Sequence, residues 1–85
     1  MIENRVRELI EKPINDMGIL IDSIEYIKEG NNNFLKIVID RDRIIDIDTV
    51  VDVTRVVNDI LDNEDIISDS YILDISSKEK GDNNE

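Results

Sequence analysis

From Ile2 to Met17, apolar side chains return at intervals of three and four. Ile2, Val6, Leu9, Ile10, Ile14 and Met17 form one stripe, while Glu3, Arg7, Glu8, Glu11, Asn15 and Asp16 take the other face. This period predicts an amphipathic helix. Glu8 and Lys12 stand at the favourable spacing for an ion pair on it. Pro13 interrupts the pattern. It removes one helical hydrogen bond and crowds the carbonyl four residues earlier, so a kink or a break into two pieces is expected. Gly18 then supplies the left-handed stop.

After Gly18 the period shortens to two. One run extends from Ile19 to Glu29 and a second from Phe34 to Arg41, with Gly30-Asn31-Asn32-Asn33 between them. Gly and Asn tolerate the positive φ of tight reversals, so the two runs predict a β-hairpin. In the second run Leu35, Ile37 and Ile39 alternate with Lys36, Val38 and Asp40. In the first, Ile19 and Ile21 share a face, but Ile24 and Tyr26 fall on the opposite one. A bulge near Asp22-Ser23 reconciles them.

Asp42-Arg43-Ile44-Ile45 forms a connection. Asp46 is the N-cap of a second helix, expected from Ile47 to Leu61. Asp48 and Asp52 suit the positive end of its dipole. Its apolar residues, Ile47, Val50, Val51, Val53, Val56, Val57, Ile60 and Leu61, cover more than half its circumference. Such an arc predicts one side on the sheet and a flank on the first helix. The many valines give poor intrinsic propensity, so packing must hold this helix. Asp62-Asn63-Glu64-Asp65 ends it, Ile66 and Ile67 are expected to plug the core, and Tyr71 to Ser76 reads as a third strand. The domain is expected to span residues 1–77, with 78–85 a disordered polar tail. The order α-β-β-α-β predicts an α+β fold of two layers, with both helices on one face of a three-stranded sheet. The crossover into the third strand is expected to be right-handed. The pattern leaves open whether that strand lies beside the first or the second.

Composition narrows the chemistry. At 85 residues the chain forms one domain with a modest core. It has no Cys and no His, which removes the thiolate nucleophile, the commonest general base and the commonest metal ligand. No run is long enough to cross a membrane and the first residues lack a signal-peptide pattern, so a cytoplasmic location is the default. The 21 acids against 10 bases give a net charge of −11. That surface repels phosphate backbones and suits a basic protein partner. The same charge also serves plain solubility.

Three motifs carry rival chemistry. Asp40-x-Asp42 and Asp46-x-Asp48 echo a calcium loop, but the glycine and closing glutamate of such loops are missing. Solvated loop acids and a helix cap account for them, so no metal or cofactor is expected. Asp22-Ser23-Ile24 approximates the Asp-Ser-Leu of acyl carrier proteins, whose serine accepts phosphopantetheine. Here Ser23 sits in a strand pattern where a helix start is needed. An acidic mimic of nucleic acid is a third possibility, with salt-sensitive binding to many basic proteins as its mark.

The strings Glu25-Tyr26-Ile27-Lys28-Glu29-Gly30 and Tyr71-Ile72-Leu73-Asp74-Ile75-Ser76-Ser77 carry a resemblance, together with Glu11-Lys12-Pro13-Ile14, Gly18, and Phe34 to Asp40. The chain resembles the N-terminal domain of the bacterial ribosome maturation factors of the RimP family, from the first helix to Ser77. In that family a Pro-Gly turn and an Arg-Pro stretch then lead into an SH3-like barrel, where this chain has Lys78-Glu79-Lys80-Gly81. The resemblance implies a monomeric, non-enzymatic factor that binds the immature small ribosomal subunit and assists its maturation. It also implies a fold related to KH domains. The chain lacks the Gly-x-x-Gly loop by which KH domains hold a nucleic-acid backbone. With the acidic charge, this favours basic ribosomal proteins as partners, with direct RNA contact secondary. The expected contact surface includes strand residues the core does not use and the loop from Asp40 to Ile45. Asp40, Arg41 and Arg43 are its candidate residues. The two arginines are a basic exception, placed to reach phosphate or simply to balance the neighbouring Asp residues.

Overall fold

A computed structural model describes residues 1–78. Most of the expected tail, residues 79–85, lies outside the described residues. The elements are α1 (Ile2–Asp16), β1 (Leu20–Glu29), β2 (Asn32–Asp40), α2 (Ile47–Glu64) and β3 (Ile72–Ser77). The order is the α-β-β-α-β of a two-layer α+β fold.

The predicted stripe drives α1 into the core. Val6, Ile10 and Ile14 are completely buried, with Ile2 and Leu9 packed at the margin. Of the kink or break expected at Pro13, the break does not occur: α1 is a single helix with Pro13 inside it. Proline costs a helix interior about 3 kcal/mol. Each fully buried aliphatic side chain returns about 1.5–3 kcal/mol. The buried stripe straddles Pro13 at Ile10 and Ile14, so packing outweighs the proline. The expected Glu8–Lys12 pair is also replaced. Lys12 reaches forward to Asp16 at 3.3 Å, and Arg7 reaches Glu11 at 3.2 Å. One ammonium serves one of two equally spaced carboxylates, and at exposed positions the choice is worth little.

A Schellman motif closes α1. Gly18 has φ +81°. Its N–H donates to the Asn15 carbonyl at 2.9 Å, and the Ile19 N–H donates to the Ile14 carbonyl at 3.2 Å. Ile14 and Ile19 are both buried beneath the reversal, as the motif's apolar contact requires.

The hairpin turns on Gly30 and Asn31, with Glu29 opposite Asn32. Positive φ occurs at Gly30 and not at Asn31, the pattern of a type II′ turn. Asn32 and Asn33, expected in the turn, therefore open β2. The bulge lies where the alternation demanded it. Ile21 faces Ile39 and Ser23 faces Val38, leaving Asp22 as the extra residue. That insertion puts Ile21, Ile24 and Tyr26 on one face, against the core.

The strand order is β1-β2-β3, with β1 antiparallel to β2 and β3 parallel to it. The undecided third strand thus sits beside the second. Leu35, Ile37 and Ile39 of the central strand are fully buried, facing Val53, Val57 and Leu61 of α2 and the stripe of α1. The helices touch each other, α1 over β1 and α2 over β3. The helix α2 runs to Glu64, one turn beyond the expected end, and Asp65 closes it in the left-handed region at φ 51°. Its apolar arc is not all used, since Ile47 and Val51 are exposed. Ile67 plugs the core as expected, and Ile66 packs at its edge.

Candidate functional site

The connection from β2 to α2 is fixed at four points. Asp40 ends β2 opposite Leu20, and its Oδ1 accepts the Arg41 backbone N–H at 2.8 Å. The Arg41 guanidinium folds back, its Nη2 donating to the Ile44 carbonyl at 3.1 Å. Ile45 is drawn into the core. Asp46 caps α2, its Oδ1 accepting the Thr49 N–H at 2.9 Å. Hydrogen bonds from the Thr49 side chain and backbone hold the Asp46 carboxyl below its ordinary pKa, and the Arg41 charge adds to the effect.

These anchors separate the three candidate residues. Asp40 and Arg41 are half-buried and build the loop. Arg43 projects into solvent, its Nε 3.7 Å from Asp42 Oδ1 in an exposed pair of small energetic value. Beside it stand Ile44, 77 % exposed, and Ile47, 78 % exposed, with Val51 one helical turn further on. Sequence reading placed Ile47 and Val51 in the core, because helical period reports a face and not whether a neighbour covers it.

At the opposite end, α2 and the entry to β3 enclose an open groove of about 420 Å³ lined by Asn58, Asp62, Ser68, Asp69, Ser70, Tyr71 and Leu73. Asn33 Nδ2 donates to the Ser70 carbonyl at 3.1 Å and holds the entry in place. Burial, with the nearby Asp62 charge, raises the Tyr71 hydroxyl above its ordinary pKa. Two segments, α2 and the stretch from Ser68 to Leu73, form this groove, and no local pattern announces it.

Ser23 lies within β1, half-buried opposite Val38. The helix start on which a carrier protein presents its serine is a strand here. Among the described residues, no helix is long and apolar enough to cross a membrane, and no group of three or more acids is placed to hold a metal ion.

The family model described as the RimP N-terminal domain matches residues 9–78. The match runs from the middle of α1 through all three strands to Lys78, whose N–H extends the β2–β3 ladder by donating to the Ile39 carbonyl at 2.8 Å. It takes in both strings that carried the resemblance and the whole sheet. The chain belongs to the RimP N-terminal domain family.

Proposed function

We propose that this chain is a non-enzymatic ribosome biogenesis factor that binds the immature small ribosomal subunit and assists its maturation in the cytoplasm. Family membership across residues 9–78 carries this reading. The side-chain chemistry supports it. The chain has neither Cys nor His, and Asp40 and Asp46 are committed to holding the loop and capping α2. On this reading the Asp40–Ile45 loop is part of the contact, with Arg43, Ile44 and Ile47 its touching side chains and Asp40 and Arg41 its frame. The net charge of −11 favours basic ribosomal proteins over bare RNA as the main partner.

The test is co-sedimentation of the chain with purified small subunits at moderate salt, with large subunits and intact ribosomes as controls. Selective binding to free small subunits is expected. Equal binding to all three, lost with rising salt, would instead mark a general acidic mimic.

A further inference from the structure

The two edges of the sheet are finished differently. In a strand, the N–H and C=O groups of alternate residues point to alternate sides. The Lys78 N–H points to β2, where it meets the Ile39 carbonyl. By alternation, Leu73, Ile75 and Ser77 direct their N–H and C=O groups away from β2, along the outer edge of β3. Among the described residues, none of these groups has a hydrogen-bond partner. The edge of β1 is guarded. It carries the Asp22 bulge, and the Tyr26 N–H is taken by the Glu3 carboxylate at 3.2 Å. Bulges and such plugs are how proteins blunt an edge against strand addition. The β3 edge has neither.

The unguarded edge also adjoins the groove. Leu73 and Tyr71 form its floor and α2 supplies Asn58 and Asp62 as its wall. A strand added along β3 places alternate side chains under α2, beside Asp62, and the others on the open face, beside Asp74. The groove lining contains Asp62 and Asp69 and no cation, and Asp74 is exposed. Side chains from both faces of the incoming strand therefore meet carboxylates. A second copy of this chain carries −11 itself and is repelled.

We propose that the β3 edge and its groove accept an extended, basic peptide segment by strand addition. Main-chain hydrogen bonds to Leu73, Ile75 and Ser77 provide affinity, while Asp62 and Asp69 on the groove side and Asp74 on the open side select lysine and arginine on both faces of the strand. The edge is independent of the ribosomal reading. Only the source of the segment, the basic arm of a ribosomal protein, rests on it.

The test is amide hydrogen exchange by NMR on the labelled chain, with the blocked peptide Lys-Arg-Val-Arg-Lys-Thr-Arg, which carries bases on both faces, and a counterpart in which each base is replaced by glutamate. The basic peptide is expected to slow exchange at Leu73, Ile75 and Ser77 by about tenfold or more at saturation, and the acidic one to leave it unchanged. Ser77→Pro removes an outward N–H without touching the β2 ladder, as edge positions allow. It is expected to weaken the basic peptide about fivefold or more at unchanged melting temperature. Should that variant fold poorly, Asp74→Lys, at an exposed position, is expected to narrow the preference for the basic peptide, with Asp62 and Asp69 holding what remains of it. Unslowed exchange at the three amides, or equal effects of both peptides, overturns the proposal. If the peptide binds while small subunits fail to sediment the chain, the edge site stands and the ribosomal reading falls. The converse result removes the edge site alone.

Discussion

The side-chain carboxylate of Glu3 accepts a hydrogen bond from the backbone N–H of Tyr26 at 3.2 Å. Glu3 lies in the first turn of α1 and Tyr26 midway along β1. The Tyr26 N–H faces away from β2, since Glu25 and Ile27 make the inward bonds of the ladder. One contact thus ties the start of the first helix to the middle of an edge strand and occupies a donor in the middle of that edge. Glu3→Ala is expected to cost about 1–2 kcal/mol, the usual loss for a hydrogen bond to a charged partner. Glu3→Gln keeps an acceptor and is expected to lose less. Urea unfolding measures the cost, and faster amide exchange at Tyr26 locates it. Unchanged exchange there would show that the bond is not formed in solution.

The bulge makes a prediction about deletions. Without Asp22, Ile21 still faces Ile39 and Ser23 still faces Val38, now in a regular ladder. That deletion is expected to fold with Ile24 and Tyr26 on the core, losing mainly the exposed Asp22–Lys78 pair at 3.2 Å. Deleting Glu25 also abolishes the bulge, but turns Ser23 toward the core and Ile24 to solvent. Exposing the isoleucine and burying the hydroxyl cost about 2–4 kcal/mol together. Thermal melts of both deletions give the comparison, and equal stabilities would contradict the register.

The Asp46 cap should depend on pH in a definite direction. Its carboxyl titrates below its ordinary value of 3.8 because Thr49 donates to it. A carboxylate with a depressed folded pKa stabilises the fold above its unfolded pKa. That contribution is lost as pH falls through the folded value. Asp46→Asn keeps an acceptor at the cap and removes the titration. Wild type and variant are expected to converge in melting temperature on acidification, and a gap that widens on acidification would contradict the assignment.

Asp65 closes α2 at φ 51°, a region that L side chains enter at a cost of roughly 1–2 kcal/mol and glycine enters freely. Asp65→Gly is expected to stabilise the domain by about 0.5–1 kcal/mol, after the added freedom of glycine in the unfolded chain is subtracted. A lower melting temperature for this variant would mean that the Asp65 side chain contributes more than its backbone costs.

In the loop after β2, stability and binding should come apart. Arg43→Glu and Ile47→Ser change exposed side chains and are expected to shift stability by less than about 0.5 kcal/mol. If the loop touches the small subunit as proposed, each lowers sedimentation with it. Arg41→Ala removes the guanidinium from the Ile44 carbonyl and is expected to destabilise the fold, with binding reduced only as the loop loosens. Unaltered sedimentation of the double variant Arg43→Glu/Ile47→Ser would take the loop out of the contact.

Much of this was legible in the chain itself. The helical stripe of α1, the alternation of β2, the glycines that reverse the chain at Gly18 and Gly30, the cap at Asp46 and the bulge near Asp22 all follow from residues a few positions apart. Local sterics, capping and periodicity fix such features before any tertiary contact forms. The sequence by itself also determined the family, through strings that run along β1 and β3. Only the tertiary structure decided that β3 lies beside β2, that α1 continues through Pro13, and that Ile47 and Val51 stay in solvent. It alone turned Arg41 inward while Arg43 projects, and left one sheet edge plugged by Glu3 and the other open. The physical reason is common to all of these. Alternation and helical period state which face of an element is apolar. Which neighbour covers that face, and which edge is left without one, depends on the packing of segments far apart in the chain.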